Sequence, residues 1–427
     1  MTPARIVKHV HNCTGLAGLL ALSCVVAAPT SAHASTPDLF GFGARPAAMA
    51  GLGGSISDDF SAVHSNPAGL ARARETAFTL GFQGAGFDLS LSRATGTREH
   101  IPQDIARGTV IGLVLPLPFE GVLRDRIAIG VGFYTPTDVV VRGRILRPEL
   151  PQFLLLSDRT QTVTIQGALG VDLGWGLRVG AGFSALAAIR GAVVIAQDST
   201  GRVGSRVDNQ LVTSYAPIVG ASLERGPIRA GLTFRGATIG RFAVTIEARD
   251  VGLPLPVFNI AGLAQYDPWQ FAGEFGFVHQ GWSALVGLTF KRWSEYPGPL
   301  ERTTERSPEP PRPALWDTFV PRAAIERRWS SARSGLAVRG GYFYEPTPVP
   351  ARTAGANYFD NDRHVLTTGV AVDTRWRGTK ATVELFAQLH ILAPRETSDG
   401  AQPEPASPTW RTAGSLFAMG TSLTLTF

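Results

Sequence analysis

Cysteine is nearly missing from the 427 residues, and the two present, Cys13 and Cys24, both fall within the first 34. Those 34 residues read as an export signal. Arg5 and Lys8 give a short basic start, Leu16 to Ala28 an apolar core, and Ala32-His33-Ala34 a small-residue cleavage site, so cleavage is expected after Ala34. Leu22-Ser23-Cys24 offers a competing lipoprotein signal, although Ala21 precedes it and a better cleavage site follows. A mature chain without cysteine has nothing to mispair in an oxidising compartment, and it excludes disulfides and thiolate metal ligands.

Long apolar runs are also scarce. Hydrophobic residues make up 44% of the chain and mean hydropathy is only +0.07, too little for a bundle of membrane helices. No block of like charge occurs. The net charge is +6 and the cations are dispersed, so the clustered basic stripe of a nucleic-acid binder is absent. Gly-x-Ser-x-Gly, His-Glu-x-x-His and a Walker loop are all missing, which argues against an enzyme and implies no cofactor. Gly51-Leu-Gly-Gly54 is glycine-rich, but it does not join a strand to a helix in a βαβ unit, so a nucleotide loop is rejected. His364 and His390 have no second ligand at a useful spacing, so no metal site is expected.

What the chain does have, after residue 76, is alternation. In 380–392, Ala381, Val383, Leu385, Ala387, Leu389 and Ile391 share one face, and Thr382, Glu384, Phe386, Gln388 and His390 the other. Residues 228–235 repeat the pattern, with Ile228, Ala230, Leu232 and Phe234 opposite Arg229, Gly231, Thr233 and Arg235. Such strands suit a wall with lipid on one side and a polar lumen on the other. The chain closes on Phe417, Met419, Leu423, Leu425 and Phe427, all on one face. That resembles the terminal strand by which barrel assembly machinery recognises its clients.

The fold class expected is all-β: a 14-stranded antiparallel transmembrane barrel in the cell outer membrane, with a small N-terminal plug. Crossings include 125–137, 228–250, 256–266 and 269–294. The last is long enough for two strands around Gly281, but splitting it gives an odd count and reverses the later loops, so it is kept as one. Long connections (138–160, 295–316, 347–363 and 395–410) are placed outside, and short ones near Trp175, Pro227, 332–334 and 377–379 inside. Signal 1–34, plug 35–76 and barrel 77–427 are the expected divisions. Residues 40–54 are too rich in Gly and Ala, and too interrupted by Pro46, to be a strand.

Residues 40–70 carry a specific resemblance. Gly43-Ala-Arg, Ala48-Met-Ala-Gly51, Ser57-Asp58-Asp59 and Ser65-Asn66-Pro67-Ala68-Gly69-Leu70 resemble the N-terminal hatch of the long-chain fatty-acid outer-membrane transporter (FadL) family. Asn66, Pro67 and Ala68 match its hatch motif. Gly340-Gly-Tyr-Phe-Tyr-Glu-Pro-Thr-Pro-Val349 and Asn361-Asp-Arg-His-Val-Leu366 are similar to its late-strand signatures. The resemblance implies a plugged 14-strand barrel that takes up long-chain fatty acids or other hydrophobic molecules. It also implies sideways release at a kinked third strand. That strand would be 125–137, where Gly130, Gly132 and Pro136 weaken the ladder.

Two further candidate sites follow from the residues. Phe153, Leu154, Leu155 and Leu156 form an apolar loop segment. It is expected either to capture hydrophobic molecules from water or lipopolysaccharide, or to pack onto neighbouring loops and cap the barrel. Arg190, Arg235, Arg322, Arg328 and Arg339 fall on lumen faces. Of these, Arg190, Arg235 and Arg339 are the candidates for a ligand carboxylate, against a structural network with Glu326 and Glu384. A different function class also fits: a secretion-associated barrel whose apolar loop docks exported proteins. Ligand in the lumen favours transport, and a stable protein partner on the loops favours the scaffold.

Overall fold

The computed structural model describes residues 36–427 apart from 94–97, 102–104, 138–151, 154, 157–162, 198–199, 201, 250–256, 300–311, 352–357 and 399–408. The expected signal and Leu154 lie outside the described residues.

Fourteen antiparallel crossings close into one barrel. They begin with β1 (Ala77–Arg93), β2 (Ala106–Pro116), β3 (Ile127–Pro136), β4 (Thr164–Gly174) and β5 (Leu177–Gln197). Next come β6 (Val203–Arg225), β7 in two segments (Ile228–Arg235 and Thr238–Arg249) and β8 in two segments (Phe258–Asp267 and Gln270–His279). β9 (Trp282–Lys291), β10 (Thr318–Ser330), β11 (Ser334–Glu345), β12 (Arg363–Trp376), β13 (Thr379–Ser398) and β14 (Thr409–Thr426) complete the wall. β14 pairs with β1 from Ala77↔Thr426 to Arg93↔Trp410, which closes the barrel.

Alternation sets which face is outside. On β13, Leu385, Leu389 and Ile391 point outward and are 40–51% exposed, while Phe386, Gln388 and His390 are buried. Phe417 and Met419 on β14 and Leu232 on β7 are likewise exposed. Water would not tolerate so large an apolar band, whereas lipid is its natural solvent. Aromatic rings mark the rims. Trp269, Phe290 and Phe319 contact one another toward the long-loop side, and Trp282 and Trp329 flank Arg327 near the short-turn side.

The strand count agrees with expectation, but one division does not. Residues 269–294 are two strands, β8's second segment and β9, turning at Gln280-Gly281. The stretch 256–266 is not a separate crossing; it is the first half of β8. Pro268 causes the misreading, because proline usually ends a strand. Here β7 breaks at the same level. Asp267 lies opposite Thr238 and Gln270 opposite Arg235, so the two interruptions face each other and both crossings continue. A signal for the turn was present. Trp175-Gly176, Gln280-Gly281 and Arg377-Gly378 all place two successive residues at positive φ. That is the twist-matched hairpin geometry in which the second residue is usually glycine.

The N-terminal segment fills the lumen with α1 (Thr36–Phe40), α2 (Ala44–Ala48), α3 (Ala62–Ser65) and a 3-10 turn, Pro67–Arg72. The 3-10 turn packs on β3 to β6, and α2 on β11 to β14. Wall glycines make the room. Gly112, Gly130, Gly132, Gly170, Gly180, Gly220, Gly231, Gly287 and Gly369 all lie under plug atoms, where an added Cβ would meet one at 3.0 Å or less.

Candidate functional site

The plug is held by its own backbone as much as by its side chains. Asn66 is fully buried. Its Nδ2 donates to the plug carbonyl of Gly54 (2.8 Å) and to the wall carbonyl of Ala221 (2.9 Å), and its Oδ1 accepts from Ala68 N (3.1 Å). The same side chain therefore caps the 3-10 turn and bolts it to β6. Beneath it, Gly170, Gly180 and Gly220 form a cross-strand row, which lets Pro67 and Ala68 lie directly on the wall backbone. From β12, Thr367 donates to Ala48 O (2.9 Å) and accepts from Ala50 N (3.1 Å). From β13, Gln388 donates to the carbonyls of Phe40 (2.9 Å) and Ala47 (2.7 Å).

Ion pairs fix the two ends of the plug. Asp38 accepts from Lys291 (3.1 Å) and Gln270 (2.7 Å); Lys291 also reaches Glu345 (2.8 Å), which Arg363 holds at 3.1 Å. Arg45 bridges Asp58 (3.1 Å) and wall Glu326 (3.0 Å). His64 sits between wall Arg235 and Gln166. Arg235 can only donate, so Nε2 of His64 accepts and Nδ1 carries the hydrogen. The Gln166 side-chain amide nitrogen lies 3.0 Å from Nδ1. Burial, and after it the Arg235 charge, hold the His64 pKa well below the usual histidine value, so the ring is neutral.

The glycine-rich turn rejected as a nucleotide loop does bind an anion, but one supplied by the wall. Gly53, Gly54 and Ser55 donate three successive backbone N–H groups to the Glu274 carboxylate at 3.1, 2.9 and 3.0 Å. Such a nest selects negative charge without a side chain. Nothing in the strand pattern of 270–279 singles out Glu274; only its place against the plug does.

The expected site residues fare differently. Arg339 is buried and held by Glu326 and Glu384, 2.6 Å from each, so its donors are committed to the wall network. Arg190 is exposed on the part of β5 beyond Leu186, where β4 has ended and β5 pairs in parallel with β7. Arg235 remains in the lumen, against His64, Gln270 (2.6 Å) and Asp38 (3.7 Å). Arg328 lies 3.6 Å from Asp373.

Phe153, Leu155 and Leu156 are buried, not exposed as a capture surface requires. Gln152-Phe153 pairs in parallel with Tyr358-Phe359, joining two outer loops into a lid. Phe153, Leu156 and Phe359 then pack on Leu89, Leu91, Leu392, Leu416 and Trp410 of the wall and on Leu39 and Phe40 of the plug.

The third strand is not broken. β3 pairs with β2 from Gly108↔Pro136 to Pro116↔Ala128, and with β4 from Ile127↔Val171 to Tyr134↔Thr164, without a register shift. Gly130 and Gly132 serve the plug, lying beneath Val63, Leu70 and Phe42. Pro136 sits at the strand's end opposite Gly108, and the Thr137 N–H continues the bonding to Arg107 O at 3.2 Å.

The wall is discontinuous elsewhere. β6 and β7 pair only from Arg225↔Ile228 to Ile218↔Arg235, and Gly236 N to Pro217 O is the last bond. Above it β7 leaves β6 and pairs with β5. Gly236-Ala237 and Pro268-Trp269 thus interrupt β7 and β8 at one level, beside Pro217 of the unbroken β6. A small cavity of about 30 Å³ lies against this seam, lined by Leu186, Ile218, Gly236, Pro268 and His64. A second, about 50 Å³, lies deeper between Phe40, Phe42, Leu52, Glu274, Arg322 and Phe343. Together they hold a few waters and no long hydrophobic molecule.

Comparison with solved structures places this fold. A FadL homologue from Pseudomonas aeruginosa is similar at a TM-score of 0.60 and 14% identity, over 93% of this chain and 98% of that one. The P. putida toluene transporter TodX is similar at 0.53 and 13%, over 91% and 99%. The monoaromatic hydrocarbon channel CymD is similar at 0.51 and 13%, over 91% and 98%. At such identities the likeness is one of fold, and it is the fold the resemblance implied. No protein-family profile and no curated protein matches the sequence.

Proposed function

We propose that this barrel carries hydrophobic small molecules across the outer membrane, with long-chain fatty acids as the leading substrate. The observation that carries this reading is the apolar column in the lumen. Barrel interiors that pass water-soluble solutes are polar. Here the lid, plug and wall meet in a buried apolar cluster of Phe40, Leu89, Leu91, Phe153, Leu156, Phe359 and Trp410. A hydrophobic molecule can replace those contacts one for one, whereas a hydrated solute would lose its water. Fold neighbours described as a FadL homologue and as toluene or monoaromatic hydrocarbon channels support the same class.

In this reading the lid admits cargo, and Arg235 is the lumenal cation that faces a carboxylate head. Release into lipid avoids rehydrating apolar surface, worth about 25 cal/mol per Å². The place for it is the β6–β7 seam at Pro217 and Gly236, where β7 parts from β6 before it pairs with β5. Growth of a deletion strain on a panel of fatty acids and hydrocarbons tests the reading. Loss of growth on long-chain acids is expected. Loss on aromatic hydrocarbons alone would reassign the substrate, and unchanged growth on every carbon source would overturn transport.

A further inference from the structure

The plug turn Ala50–Ser55 is wedged between a wall acid and a wall base. Glu274 on β8 pairs with Gly287 on β9, and Gly287 pairs with Arg322 on β10. These three residues form one row on the lumen face, since their neighbours Phe275, Val286 and Leu288 are exposed outside. Adjacent strands lie about 4.8 Å apart, so the two charged residues stand roughly 10 Å apart at the backbone with only a glycine between them. Both side chains are long enough to meet over it.

In this structure the plug keeps them apart. Glu274 is taken up by the N–H groups of Gly53, Gly54 and Ser55. Arg322 donates to Ala50 O at 2.6 Å and lies 4.5 Å from the centre of the Phe343 ring. Leu52 fills the space over Gly287. Among the described residues, no cation lies within 4.0 Å of Glu274 and no carboxylate within 4.0 Å of Arg322. At hydrogen-bond range each charge is therefore met by plug backbone, with the Phe343 ring beside Arg322 and Glu345 and Asp38 acting on it from farther off. If the turn withdrew, each would be stranded in the lumen, a strongly unfavourable state unless the two found each other. Ala50 is itself held in the left-handed region at φ 57, a conformation an L residue leaves readily once its bonds to Arg322 and Thr367 are gone.

We propose that Glu274 and Arg322 form a two-position clamp. With the plug seated they grip its turn from opposite polarities. With the turn withdrawn they pair with each other across Gly287. The exchange of partners gives the plug two discrete positions, because both charges are satisfied only at the two ends of the movement. The inference rests on the transport reading only in that a carrier needs a movable plug, and its test does not involve hydrophobic cargo.

Influx of a hydrophilic chromogenic β-lactam into cells with a periplasmic β-lactamase reports plug closure, and heat-modifiable gel migration reports barrel folding. Glu274→Gln weakens the grip, and influx is expected to rise about tenfold. Glu274→Arg and Arg322→Glu each set like charges across Gly287 and should lower the folded fraction. Combined, they restore an opposite pair but present the wrong charge to the plug's N–H and C=O groups. The double variant should therefore recover the folded barrel while influx stays high. A double variant no better folded than the singles, or folded and as tight as wild type, overturns the clamp. So does wild-type influx in Glu274→Gln. Failure of the fatty-acid growth panel with these results intact would count against transport and leave the clamp standing.

Discussion

The plug and the lid close the same barrel by opposite means. Side chains from β7, β8, β10, β12 and β13 bond the plug backbone directly, and a belt of wall glycines seats it. Among the described residues, the lid joins its two loops by one two-residue parallel pairing and covers wall and plug with a broad apolar contact. Hydrogen bonds are directional, so they define a single position. Apolar packing is not, so it defines coverage and tolerates a substitute partner. The lid can repack around a hydrophobic molecule. The plug can move only by changing partners.

The strongest way to break this comparison is at the plug seat. Gly180→Leu would drive a side chain into Pro67 and Ala68. The overpacking should cost about 3 kcal/mol or more. The expected result is a barrel that fails to assemble or stays unplugged, read by gel migration and β-lactam influx. Normal closure would mean the seat is softer than the glycine row implies.

A smaller but specific loss is expected from Asn66→Ala. The carbonyls of Gly54 and Ala221 each lose a bond. Roughly 2–3 kcal/mol of plug retention should disappear. Asn66→Asp should behave similarly, because a carboxylate cannot donate. Protease access to the plug in purified barrels measures both.

At the lid, Leu156→Ala removes buried contacts worth about 2 kcal/mol. Because plug and lid are separate closures, influx of hydrophilic solute should stay at wild-type level while initial uptake of a hydrophobic probe rises. A fall in hydrophobic-ligand affinity with the lid still shut would instead assign the segment to capture.

The smallest effect concerns pH. His64 is kept neutral when seated, its pKa lowered by burial and by Arg235, with Asp38 opposing and Lys291 reinforcing. A withdrawn plug would let it return toward about 6.5. Protons therefore bind the withdrawn state preferentially. Seating is fully stable above that value and weakens as pH falls below it. His64→Gln should flatten the profile of influx against pH between about 7 and 5, and an unchanged slope would remove His64 from plug retention.

Several of these features were legible beforehand, for local reasons. Leu385, Leu389 and Ile391 announce a lipid face because each strand residue meets one of two solvents in strict alternation. Gln280-Gly281 was also readable as a turn, being the same pair type as Trp175-Gly176 and Arg377-Gly378. Loop alternation pointed the other way, because it counts 256–266 as a crossing of its own. Other features had no local signal. Phe153 looks exposed on a loop until Phe359, more than 200 residues later, pairs beside it. Arg339 looks like a ligand donor until Glu326 and Glu384 are brought against it from neighbouring strands.

The sequence alone therefore determined an antiparallel barrel with a lipid-facing band and the number of its strands, because two-residue periodicity is written in neighbouring residues. The tertiary structure alone decided which wall glycines are seats rather than hinges, and why β3 is whole while the β6–β7 seam is open. It also decided that Glu274 and Arg322 stand one strand apart with the plug between them. Those are relations among strands joined only by cross-strand register, and register is set by closure of the whole barrel rather than by any one segment of it.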